Sequence, residues 1–180
     1  MDVSQAIRTR RSIRKYKQEA VAHELIEEIV ADAAYAPSWK NTQIARYLLV
    51  EDRAAIDKMA EEMVLGFKFN EKTLKSCAAL MVLTYITSRS GFERDGSYAT
   101  PKEAGFEMFD AGIAAQTFCL AAWEHGVGTV ITGYFDEAKI IDLLHIPENQ
   151  KVGCVIGLGY PDEEPAAPKR KSVSDLLTYQ

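Results

Sequence analysis

The run Arg8-Thr9-Arg10-Arg11-Ser12-Ile13-Arg14 sets several guanidiniums and a hydroxyl near the end of a short helical stretch. Arginine offers a planar fork of donors, so the run could grip a phosphate; it could equally be a solvated basic segment. The segment Pro37-Ser38-Trp39-Lys40-Asn41-Thr42-Gln43 supplies a hydroxyl and two amides. Amides both donate and accept, which suits a heterocycle edge carrying carbonyl and imide groups, although the same residues also end helices and make turns. Asn70 follows Phe67-Lys68-Phe69 and reads as a helix C-cap or as a further polar contact. At Thr132-Gly133 a glycine after a strand makes a turn, or lets a backbone N–H approach a ligand closely. No G-x-S-x-G, Ser/His/Asp order or Walker A motif stands out. Gly157-x-Gly159 closes a strand before Tyr160-Pro161 and reads as structural. Side-chain nucleophiles are poorly advertised, which fits an enzyme whose cofactor carries the chemistry.

Charge narrows the ligand class. The net charge of the 180 residues is −5, so the surface as a whole should not attract nucleic acid. Yet no acid falls between Asp2 and Glu19, where Arg8, Arg10, Arg11, Arg14, Lys15 and Lys17 lie, and Lys169-Arg170-Lys171 forms a second cluster. Such focusing points to a local anionic ligand rather than a long polyanion. Cys77, Cys119 and Cys154 are far apart, as are His23, His125 and His145, so neither a disulfide framework nor a metal site is expected. No apolar run is long enough for a membrane span. The basic N-terminus lacks a following apolar region, which leaves the cytoplasm as the expected compartment.

The length suits one domain over residues 1–180. Helices are expected at 3–10, 22–34, 54–65, 104–125 and 136–144, the last with Asp136 as N-cap. Strands are expected at 47–50, 78–86, 127–132 and 152–159. Residues 88–101 read as a surface excursion that could serve as a lid, and 173–179 as a segment that could pack again. The 104–125 helix is apolar nearly all round and rich in small residues, so it needs burial on every side, at the domain centre or in a dimer interface. Helices and strands are intermixed rather than strictly alternating, which favours α+β.

Eight short motifs occur in register: R-R-S-I-R (10–14), A-P-S-x-x-N-x-Q (36–43), F-N-E-K (69–72), D-x-G-x-A-x-Q (110–116), G-x-G-T-x-x-x-G-x-F-D (126–136), I-P-E (146–148), G-x-G-Y-P (157–161) and the basic K-R-K tail. In this the chain resembles the FMN-dependent nitroreductase family over essentially its whole length. The resemblance implies an α+β fold with a central, mostly antiparallel sheet surrounded by helices. It also implies an interlocked homodimer with FMN in the interface pockets. By that resemblance Arg10, Arg11, Ser12 and Arg14 hold the flavin phosphate and ribityl chain, joined by Lys169 and Arg170. Pro37 and Ser38 come from the partner subunit, Asn41 and Gln43 face the ring or ribityl side, and Asn70 faces the pyrimidine edge. Thr132 and Gly133 match the stretch whose backbone N–H lies by flavin N5. The implied reaction is ping-pong: NAD(P)H delivers hydride to N5 and leaves, and a nitroaromatic or quinone is then reduced. Two departures stand out. Ile44-Ala45 follow Gln43 where relatives often have Pro-Trp, and Lys72-Thr73 stand where some members carry a flavin-contacting lysine. Rival readings are a non-catalytic FMN-binding module, a specialised flavin enzyme on the same fold, and a small nucleic-acid binder using the basic N-terminus.

Overall fold

A computed structural model describes residues 1–180. Its elements run α1 (Val3–Thr9), α2 (His23–Ala33), β1 (Ala45–Val50), α3 (Arg53–Glu62), α4 (Lys68–Ser76), β2 (Ala79–Ile86), α5 (Gly105–Glu124), β3 (Gly128–Thr132), α6 (Glu137–Leu144), β4 (Gln150–Gly159) and α7 (Val173–Leu176). The strands form one sheet in the order β1-β2-β4-β3, antiparallel at every pairing. The fold is therefore α+β, as expected.

Strand β2 shows why the sheet is covered on both faces. Successive side chains of a strand point to opposite faces, and seven of its eight residues are buried. Met81, Leu83 and Tyr85 join Ile29 of α2 and Phe118 of α5 in one core; Leu80 and Val82 join Ile56 of α3 and Ile140 of α6 in the other. Helix starts follow ordinary capping chemistry. The carboxylates of Asp2, Asp52 and Asp136 accept N–H bonds from Gln5, Ala55 and Lys139, which satisfies donors that have no partner within the helix.

The basic N-terminal segment is extended and lies along the sheet. Ile13 donates its N–H to Thr129 O at 3.0 Å, Lys17 donates to Tyr160 O, and Asp162 donates to Lys15 O. Ile13 is fully buried in the second core; burying a side chain of that size stabilises by about 1.5–3 kcal/mol. Gly128 makes room for it: a Cβ there would lie 2.8 Å from Ile13 Cγ1 and 2.9 Å from Pro161 Cγ. The Tyr16 hydroxyl donates to Ile13 O at 2.5 Å and reaches Gly157 O at 3.2 Å. These contacts fix the backbone from which Arg10, Arg11, Ser12 and Arg14 project.

Helix α5 is covered on one side only by its own chain: Ala111, Ala114, Ala115, Phe118 and Ala122 are buried, while Met108 and Phe109 are 52% and 61% exposed. Two expectations need correction. Asn70 is not a C-cap, because residues 68–76 form a helix and Asn70 stands in its first turn, buried. Residues 173–179 do not pack back. Their short helix leaves Val173, Leu176 and Tyr179 at 71% exposure or more.

Candidate functional site

The two basic clusters meet. Arg10, Arg11, Ser12, Arg14 and Arg170 line one cavity of about 490 Å³, with Pro165, Ala166 and Pro168 completing its wall. Residues 162–170 reach it because Glu163 accepts the backbone N–H groups of Arg14 (2.5 Å) and Lys15 (3.2 Å). None of these arginines forms an ion pair within the chain. Arg11 Nη1 donates to the carbonyls of Arg8 and Arg10, and Arg14 Nη1 to that of Ser12. The guanidiniums of Arg10 and Arg170 keep their full donor sets. Like charges gathered without a counter-charge favour an anion with several oxygens. Lys169 is exposed and does not line this cavity.

Neither Asn70 nor Gly133 lines this cavity. The Arg14 guanidinium lies 5.5 Å from the centre of the Phe69 ring, directly before Asn70. Phe69 packs 6.0 Å from Phe67, which meets Tyr134 edge-on at 5.9 Å, directly after Gly133. The Thr132 hydroxyl is spent on Val155 O at 2.9 Å. Gly133 has open space on its Cβ side, and no acceptor within the chain takes its N–H. Lys72 is exposed, and the Thr73 hydroxyl donates to Phe69 O.

The 37–43 loop lies elsewhere. Pro37, Ser38 and Gln43 line a second cavity of about 210 Å³ with Val30, Ala33, Tyr47, Asp110 and Ala114, and Asn41 lines a third. The loop holds three left-handed residues, Lys40 (φ 46°), Asn41 (φ 55°) and Gln43 (φ 48°). Such backbone persists only when the surroundings over-determine it. Here Ser38 Oγ accepts the Gln43 N–H, and Arg46 Nη1 holds Gln43 O at 2.8 Å. Asp110, 3% exposed, accepts the Trp39 N–H at 2.9 Å and a short bond from the Ser90 hydroxyl. It thereby ties the loop to the base of the 88–101 excursion. Its motif was visible in the sequence; its anchoring role was not. Trp39 packs against Phe106 at 4.4 Å, yet Trp39 Nε1 and Thr42 Oγ1 are the two buried side-chain polar atoms without a partner. Buried polar groups are rarely left unpaired.

With this geometry in hand, the comparisons decide the family. The model of the Nitroreductase family matches residues 7–160. The chain belongs to that family. A relative from Methanothermobacter thermautotrophicus, provisionally named NADH dehydrogenase/NAD(P)H nitroreductase, is 33% identical over 169 residues, spanning 92% of this chain and 80% of that protein. The NADPH-flavin oxidoreductase of Vibrio harveyi is 27% identical over 174 residues, spanning 92% and 68%. Among solved structures, a provisionally named nitroreductase from Exiguobacterium sibiricum in complex with FMN superposes with a TM-score of 0.83. It is 19% identical and covers 100% of this chain and 98% of that one.

Proposed function

We propose that this chain is an FMN-dependent oxidoreductase that acts as a homodimer and draws its electrons from NAD(P)H. The observation that carries the reading is the cavity joining Arg10, Arg11, Ser12, Arg14 and Arg170, none of whose guanidiniums forms an ion pair within the chain. A flavin phosphate meets that need, and charge-assisted contacts are about twice as strong as neutral ones. The names of the relatives and the FMN complex of the fold neighbour support the same cofactor.

When bound, FMN would supply the redox chemistry by a ping-pong exchange, taking a hydride equivalent from the nucleotide and passing it to an electron-poor acceptor such as a nitroaromatic or quinone. The chain's own residues bind and orient. The arginines and Ser12 hold the phosphate end, and Lys169 adds positive charge on the segment that carries Arg170. Asn70 addresses the pyrimidine edge. The free Gly133 N–H is a donor for the reacting edge of the ring. Ser38, Asn41 and Gln43 serve the ring from a loop that its own chain keeps in separate cavities. That separation fits Pro37 and Ser38 acting on the flavin of a partner subunit. The exposed stripe of α5, with Met108 and Phe109, supports the same assembly, because a large apolar surface left open marks an association site.

The test is an absorption spectrum of the purified protein before and after anaerobic NADPH or NADH. Flavin bands that bleach with a nucleotide support the reading. Bands that persist leave a flavin-binding module without reductase activity, and no flavin after incubation with FMN overturns it. Gel filtration at micromolar protein tests the dimer; a monomeric mass with flavin retained refutes it.

A further inference from the structure

Beside the flavin loop lies a second basic cavity. It measures about 720 Å³ and is lined by Lys40, Asn41, Thr42, Ser88, Arg89, Phe92, Glu93 and Arg94. Resting on the reading above, we infer that this cavity receives the 2′-phosphate end of the electron donor, so that NADPH is preferred over NADH.

Charge gives the first support. Lys40 is neutralised by Glu93 at 3.1 Å, whereas Arg89 and Arg94 form neither an ion pair nor a side-chain hydrogen bond. The cavity therefore keeps two free guanidiniums in a chain whose net charge is −5. Both stand on the exposed rim. A rim suits a ligand's terminal group, and a phosphate monoester presents three oxygens and nearly two charges there, which arginine forks match. The pyrophosphate bridge inside a dinucleotide carries one charge per phosphorus and offers less.

Placement gives the second. The cavity shares Asn41 with the loop proposed to face the flavin, and the Lys40–Glu93 pair links that loop to the excursion bearing both arginines. Its size is in the range of small-molecule sites.

The excursion is built rather than loose. Phe92 and Tyr98 pair at 5.0 Å, Glu93 donates its N–H to Ser97 O, and Ser88 N–H is held by Glu107 at 2.6 Å. Arg89 and Arg94 thus start from a defined scaffold, and their replacement leaves its contacts in place.

The experiment uses the FMN-loaded protein and R89Q/R94Q. Calorimetric titration with adenosine 2′,5′-bisphosphate should show binding that weakens about tenfold in the variant, while ADP-ribose, which carries no phosphate monoester, binds more weakly to both proteins. With a neutral quinone as acceptor, the ratio of kcat/KM for NADPH to that for NADH should fall about tenfold, through KM. An unchanged ratio in a protein whose flavin still bleaches overturns the inference and leaves the flavin reading standing. A loss confined to the KM of an anionic acceptor also overturns it and places a carboxylate or nitroaromatic anion in the cavity. A wild type that neither nucleotide bleaches overturns the flavin reading instead.

Discussion

Arg10→Ala tests the phosphate cradle most sharply, because the ligand itself can be edited to match. Arg10 is half-buried, lines the cavity and gives no side-chain hydrogen bond to its own chain, unlike Arg11 and Arg14. Its whole fork is therefore available to the ligand. A hydrogen bond to a charged group contributes about 1.5–3 kcal/mol. At tenfold per 1.4 kcal/mol, the variant should bind FMN about 10- to 150-fold more weakly. Riboflavin lacks the phosphate, so its affinity should change less than about twofold, and the difference between the two ligands isolates the arginine–phosphate coupling. Arg170→Ala should follow the same pattern with a smaller loss, about fivefold or less, because the residue is exposed and its contact is screened. The assay is quenching of flavin fluorescence on titration into apoprotein. Equal losses for FMN and riboflavin would mean that Arg10 shapes the pocket without touching a phosphate. Unchanged FMN affinity would remove it from the site.

Gly157→Ala should destabilise by about 1–3 kcal/mol, since the added Cβ would lie 2.6 Å from the Sγ of buried Cys77; a melting temperature within a degree of wild type would contradict the packing. Asp110→Ala should cost about 2–4 kcal/mol, because the Trp39 N–H and the Ser90 hydroxyl lose their acceptor. In calorimetry that is a fall of about 5–15 °C for a chain of this size, and a shift of only a degree or two would show that the loop is held by other contacts. Burial pushes the thiols of Cys77 and Cys154 up to about 12, and that of Cys119 upward. Thiolate is the reactive form and appears only as pH rises toward those values. Iodoacetamide at pH 8 should therefore leave all three cysteines unmodified in the native protein and alkylate them after denaturation. Rapid native labelling read by mass spectrometry would contradict this.

Where apolar periodicity is strong, the elements were legible: α2, α5, β2 and β3 fall within two residues of their expected bounds. Helix α4 was not, because its buried face rests on Asn70, Thr73 and Leu74 and so carries little apolar signal. The strand-like course of residues 12–17 was hidden for a related reason: only Ile13 and Tyr16 face the core, among three basic neighbours. At the site, the two basic clusters were visible as composition, and their meeting was an inference that the structure repeats for Arg170 but not for Lys169. The Glu163 carboxylate that brings the tail to the cradle could not be read, since it bonds backbone N–H groups, which every residue carries.

The cradle also has a consequence for timing. Its wall runs from Arg10 to Arg170, and the backbone that carries the early arginines leans on residues 129, 157 and 160 to 163. During synthesis the first arginines therefore wait until residues 157–163 have been made before they have a surface to lie on. An unfinished or clipped chain ending before residue 157 would carry Arg10, Arg11 and Arg14 without the backbone that fixes them.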